Sequence, residues 1–129
     1  MIFGKISCFI TFFSLKNQSL LIKNRYNLDW EVRYLATYVI LCRISPQAFS
    51  NPEEFKQLAA NVSEKIKNEC PDVTWKNSFA LMGRFDVIDI VEADDPNQVE
   101  KAAMIIRAYG HSSTETLVAT PWKDFLAML

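Results

Sequence analysis

Trp75-Lys76-Asn77-Ser78-Phe79-Ala80-Leu81-Met82-Gly83-Arg84-Phe85-Asp86-Val87-Ile88-Asp89-Ile90-Val91-Glu92-Ala93 is the stretch on which the fold turns. Two runs rich in aromatic and β-branched residues flank a Gly-x pair, the pattern of a β-hairpin whose tight turn needs positive φ at glycine. With Gly83-Arg84 as the whole turn, Met82 pairs with Phe85, Ala80 with Val87 and Ser78 with Asp89, while Leu81, Phe79 and Asn77 face Asp86, Ile88 and Ile90. One face then carries Trp75, Phe79, Leu81, Ile88 and Ile90, an apolar surface suited to covering helices. The other carries Lys76, Ser78, Ala80, Val87, Asp89 and Val91, and a face of such mixed chemistry is either solvated or lines a cavity.

Outward from the hairpin the signals stay regular. Thr37-Tyr38-Val39-Ile40-Leu41-Cys42 is a nearly unbroken apolar run, as a strand covered on both faces would be. Asn51-Pro52-Glu53-Glu54 opens a helix with an N-cap, a proline at the first helical position and two acids in the positive first turn. Phe55, Leu58, Ala59, Val62 and Ile66 follow at helical spacing and predict one apolar stripe. After the hairpin, Asp95-Pro96 repeats the opening with Gln98 at a capping-box position. Val99, Ala102, Ala103, Ile106 and Tyr109 form a second stripe, which Gly110 is placed to stop. Ser113 to Ala119 reads as a last strand, and Trp122, Phe125, Leu126 and Leu129 as a short amphipathic tail helix. The order is β-α-β-β-α-β plus a tail, an α+β ferredoxin-like arrangement with helices on one side of an antiparallel sheet. The uncovered face of such a sheet calls for a partner. Tyr38 and Ile40 or their strand neighbours, with Ala80, Val87 and Val91, are expected to supply that face, and a homodimer joined through the sheets to cover it.

Residues 1 to 34 differ from the rest, and the domain is expected over 35–129. Met1 to Leu15 is apolar, but the run stops at Lys16-Asn17, short of the roughly 18 residues a membrane span needs. A signal peptide with Lys5 as its positive end is one reading, although no small-x-small cleavage site follows. The preferred reading is an upstream stretch translated from a start assigned too early. Trp30-Glu31-Val32 is able to encode GGGAGGT, close to a bacterial ribosome-binding site, a short distance before Leu35, for which TTG is a permitted bacterial start. Genomic DNA with CTC at Leu35 would end this hypothesis.

At 129 residues, half of them hydrophobic, the chain has the material for one core without metal or disulfide help. A formal net charge of -1 and the lack of any Lys/Arg cluster along the chain argue against nucleic acid as a partner. Three cysteines, Cys8, Cys42 and Cys70, are widely spaced and odd in number, as in a reducing, cytoplasmic compartment. His111 is the sole histidine, so a protein-built metal site is not expected. With no glycine-rich phosphate loop or nucleophile elbow either, no cofactor is expected, and neither is a membrane.

From Leu81 to Ala93, with Ala36-Thr37-Tyr38 at the start and Thr114-Glu115-Thr116 in the last strand, the sequence resembles the GYD-domain family, small proteins placed among the dimeric α+β barrels. The motif positions are Gly83, Phe85 and Asp86, and the name-giving tyrosine is Phe85 here. Any role for that tyrosine's hydroxyl is therefore lost. The resemblance implies a fold and a homodimer rather than an activity.

Asp89 is the most suggestive residue, a carboxylate in mid-strand on the face shared with Ser78. In a closed barrel, desolvation would raise its pKa and suit it to proton transfer; the plainer reading is an ion pair with Arg43 or Lys76, or solvent at the barrel's mouth. Asp86 is expected to serve its own loop's backbone or Arg84. His111, beside the helix stop, is either a general acid/base or a capping residue. Tyr38, Ser78 and Glu115 complete the candidate ligand contacts. Three functions compete: a homodimer binding a small apolar metabolite between its sheets; a cofactor-free isomerase, decarboxylase or monooxygenase using Asp89 and His111; and a structural oligomer with a filled core.

Overall fold

A computed structural model of the chain describes residues 19–23 and 30–129. The chain divides into two compact units, Met1–Leu35 and Ala36–Leu129. In the first, β1 (Ser19–Lys23) and β2 (Trp30–Tyr34) pair antiparallel, with Ser19 opposite Tyr34 and Lys23 opposite Trp30. The Met1 to Leu15 run, on which the signal-peptide reading rests, lies outside the described residues.

The second unit runs β3 (Ala36–Ile44), α1 (Pro52–Glu69), β4 (Thr74–Ala80), β5 (Val87–Ala93), α2 (Pro96–Gly110), β6 (Ser112–Ala119) and α3 (Trp122–Met128). Its four strands form one antiparallel sheet in the order β4-β5-β3-β6. This is the α+β, ferredoxin-like order read from the sequence, with β3 and β5 central.

Local chemistry sets the helix ends. Asn51 Oδ1 accepts from Glu54 N (3.0 Å), satisfying one of the orphan donors at the start of α1, and Glu53 and Glu54 occupy its first turn. Asp95 caps α2 through Asn97, accepting from its backbone N (2.9 Å), rather than through Gln98. The stop of α2 also differs from expectation. Gly110 is its last helical residue, buried and within 3.6 Å of Val62 Cγ2 as measured from an ideal Cβ, and the left-handed residue is His111 (φ 49°). A histidine enters that region at a modest cost, which the Ser45 N–H to His111 C=O bond (3.0 Å) helps to offset.

The two faces of the sheet are covered in the opposite sense from the sequence reading. Tyr38, Ile40 and Cys42 of β3, with Val91 and Ala93 of β5, are buried against Val99, Ala102, Ile105 and Ile106 of α2, Ile66 of α1 and Cys70 at its C-cap. Ile40, Val91 and Val99 are almost wholly enclosed, each contributing about 1.5–3 kcal/mol. The small side chains of Ala93, Ala102 and Ala103 let α2 settle close on the sheet. The large residues of the hairpin point the other way. Phe79, Leu81 and Leu117 are exposed, and Val39, Leu41, Ile88 and Ile90 half-buried, on the face away from the core. The apolar run of β3 suits either face, so alternation in that strand could not choose between them. The choice follows residue size against α2.

One further correction concerns phase. Pairing is in the expected register from Ala80–Val87 through Ser78–Asp89 to Asn77–Ile90, then slips at a β-bulge so that Trp75 faces Val91 and Thr74 faces Glu92. The extra residue, Lys76, turns Trp75 onto the core side. The turn is also longer than two residues, since β4 ends at Ala80, β5 begins at Val87, and the loop is closed by Leu81 N to Asp86 O (2.8 Å). Gly83 has φ 149° with nothing within 4 Å of an added Cβ, so backbone conformation rather than crowding calls for glycine there.

Candidate functional site

The α1 stripe does not complete the core. Of its apolar residues only Ile66 is buried; Phe55, Leu58 and Val62 are half-buried and line a cleft of about 610 Å3 together with Val73, just before β4, and Trp75, Val87 and Asp89 on the sheet. Such a volume lies within the range of small-molecule sites, which are apolar with a few placed polar groups.

Those polar groups form one chain. Trp75 Nε1 donates to Ser78 Oγ (3.2 Å), and Ser78 Oγ donates to Asp89 Oδ1 (2.5 Å). Three residues apart in a regular strand, Trp75 and Ser78 would point to opposite faces; the Lys76 bulge puts them on the same one. Asp89 is 7% exposed and is the one buried charged side chain among the described residues. A carboxylate so placed needs hydrogen-bond donors, and Ser78 supplies one. Neither ion pair expected for it is formed, and Lys76 instead reaches Glu92 at 3.5 Å.

Cys42, on the same face of β3 and also lining the cleft, is held as a neutral thiol. Burial first, and the Asp89 carboxylate second, push its pKa from 9.0 up to about 12. With so little thiolate near neutral pH, it is a small apolar wall rather than a nucleophile.

Of the residues singled out in the sequence, Ser78 and Asp89 come together and line the cleft. Tyr38 shares their face but is buried between Val91 and Val118 and does not line it. Glu115 is exposed on the opposite face, across from Leu41. His111 lines a separate cleft at one end of the sheet. Sequence reasoning missed Trp75, Cys42 and the α1 stripe as site walls. The stripe was visible but indistinguishable from a packed one, and a bulge at Lys76-Asn77 has no strong sequence mark.

The motif residues lie at the hairpin tip and at its junction with β3. Gly83 forms the hairpin tip, and Phe85 lies beneath the Arg84 guanidinium, 5.1 Å from its ring centroid. Asp86 does more than serve its own loop. Its N–H donates to Cys42 O (2.8 Å) and its Oδ2 accepts from Ile44 N (2.7 Å), replacing strand pairing where β5 has turned away from β3.

Among the described residues no group of three or more His, Cys, Asp and Glu is placed to hold a metal ion, and no helix is long and apolar enough to cross a membrane. Fold and site define a small ferredoxin-like α+β domain with one face under helices, an apolar cleft beneath α1, and one bare face. The family model for the GYD domain matches residues 38–129, and the chain belongs to that family. It is similar to the glutamine synthetase and cystathionine beta-lyase binding protein of Thermus thermophilus, 26% identical over 99 residues that cover 74% of this chain and 99% of that protein. Among solved structures it is similar to the de novo designed protein Foldit4, at 17% identity and a TM-score of 0.42, covering 67% of this chain and 97% of that one.

Proposed function

We propose that this GYD-domain protein is a binding module, a homodimer joined through its bare sheet face that holds a small, largely apolar molecule beneath α1. The observation that carries the ligand is the α1 stripe, of which only Ile66 is buried in the core while Phe55, Leu58 and Val62 stay half-buried in the wall of a cleft. This moves the ligand from between the sheets to the helix side. The Trp75–Ser78–Asp89 chain offers the bound molecule one polar anchor, so the favoured ligand has an apolar body and a single hydrogen-bonding group. The name of the Thermus relative favours binding over turnover, and a protein partner for the dimer is part of the same reading.

The dimer is supported by the row Phe79–Ile88–Leu41 and its neighbour Ile90–Val39–Leu117, which place six apolar side chains side by side on the uncovered face. The alternative is a cofactor-free isomerase, decarboxylase or monooxygenase in which Asp89 carries a proton. A buried carboxylate in the wall of a ligand-sized cleft favours it; His111, in another cleft, does not join it.

Native mass spectrometry of the gently purified chain tests the binding reading. A dimer that retains a reproducible small-molecule mass, lost when Val62→Trp fills the cleft, is expected; a protein that retains nothing and takes up no apolar probe would sink it. Asp89→Asn then separates the two functions: binding survives in the module, whereas any turnover of the identified ligand falls by roughly 10²-fold or more if Asp89 is the base.

A further inference from the structure

Three connections meet at one end of the sheet: the exit of β3, the β4–β5 hairpin tip and the short link from α2 to β6. Between them lies a second cleft, of about 680 Å3, whose walls include Arg43, Arg84, Arg107 and His111, with Ser112 and Ser113 beside them. In sequence the three arginines are far apart, which is why no basic cluster shows along the chain. The fold assembles it.

The charge balance in the cleft is positive. Asp86 is the acid among its lining residues, and its Oδ2 accepts from Ile44 N. Arg43 and Arg84 form no salt bridge among the described residues, and the pair to Glu100 uses only Nη2 of Arg107 (3.1 Å). Arg107 Nε is buried without a hydrogen-bond partner, an orphan donor of the kind that a missing acceptor explains. The negative end of α2 also faces this region and opposes an anion. Its effect is reduced because the Gly110 carbonyl accepts from Ser112 Oγ (2.9 Å), the His111 carbonyl accepts from Ser45 N, and Arg107 sits in the last turn.

The walls are also fixed. Asp86 clips the hairpin to β3 through two bonds, and Ser45 N–H clips β3's exit to the end of α2. Guanidinium groups presented from a fixed frame offer forked, charge-assisted donors, which match the tetrahedral oxygens of a phosphate group. The volume is larger than a bare phosphate requires. We infer that this cleft binds the phosphate group of a small phosphorylated molecule, with Arg43, Arg84 and Arg107 as its charge partners and the Ser113 hydroxyl as a further donor. This cleft shares Ile44 and Ser112 with the one beneath α1, but the three arginines line it alone, so the inference does not depend on the ligand proposed there.

The test is an amide-resolved NMR titration of the full chain with inorganic phosphate and with pyrophosphate, at constant ionic strength set by sodium chloride. Saturable shifts confined to Gly83, Arg84, His111, Ser112 and Ser113 are expected, with pyrophosphate the tighter probe. The double variant Arg43→Gln/Arg84→Gln, both at exposed positions, weakens binding by about tenfold or more. Ser113→Glu, which places a carboxylate in the cleft from another exposed position, abolishes it. Shifts that fail to saturate, that scatter over surface lysines, or that persist at equal affinity in both variants would overturn the inference.

Discussion

Phe79 offers the sharpest test of the dimer, because it lies at the edge of the bare face and outside the core. It is 52% exposed in the single chain. A phenylalanine has roughly 200 Å2 to bury, so about 100 Å2 is available at this position. At about 25 cal/mol per Å2 that area is worth about 2.5 kcal/mol. A two-fold interface uses the residue twice, so Phe79→Ser removes up to about 5 kcal/mol, a rise of roughly 10³- to 10⁴-fold in the dimer Kd. This is a ceiling, because rotamer ordering at the interface offsets part of the gain. Sedimentation velocity over a concentration series reads the effect directly. Leu117→Ser, 48% exposed on the same face, behaves in the same direction, whereas Met82→Ser at the fully exposed hairpin tip leaves association unchanged. If the parent chain is monomeric throughout, or Phe79→Ser associates at the parent's midpoint while folded by circular dichroism, the argument from the bare face is wrong.

Four further predictions concern the folded chain itself. Asp86→Ala orphans the half-buried Ile44 N–H and lowers stability by about 1–3 kcal/mol, read from the midpoint of urea unfolding at unchanged slope. Cys42, with its pKa pushed from 9.0 to about 12, has roughly 10³-fold less thiolate at pH 8 than an ordinary cysteine, so peptide-mapped alkylation of the folded chain labels it far more slowly than a free thiol; reaction at an ordinary rate would mean that its surroundings are wet. Because the folded-state pKa is the higher one, the stability associated with the neutral thiol is fully present below pH 9.0 and is lost as pH rises toward about 12, which base titration of the melting temperature follows. His111→Gly releases a left-handed non-glycine residue and raises stability by about 0.5–1 kcal/mol after the added unfolded-state entropy; a loss of stability would show that the imidazole makes a contact of greater worth.

The element order was legible because each signal was local. Asn51 and Asp95 announce helices from their own positions, and Gly83 marks a turn wherever the hairpin packs. The covering of the sheet was not local. Val39 and Ile40 are equally apolar, and only the small residues of α2, about sixty positions later, determine that Ile40 goes under the helix and Val39 stays outside. Asp89 misled in an instructive way. A charge in mid-strand suggested a solvated or cavity-lining face; it does line the cleft beneath α1, but a hydroxyl eleven residues earlier allows it to lie 7% exposed on the helix-covered side. Within the site, the Ser78–Asp89 pairing followed from the hairpin register, whereas the indole that completes the chain depended on one inserted residue with no signature of its own.

The placing of β3 between β5 and β6 has a consequence in time as well as in space. β3 is the first strand of its unit to be synthesised and among the last to be finished, since Cys42 meets Val87 on one side but Thr114 on the other. At about 5–20 residues per second, the ribosome leaves the second edge of this apolar strand open for roughly 4 to 14 seconds after it is made. No shorter nascent chain has both neighbours of the central strand. The nascent domain therefore depends on a holding factor, or on the speed of its own completion, to keep that edge from pairing with another chain.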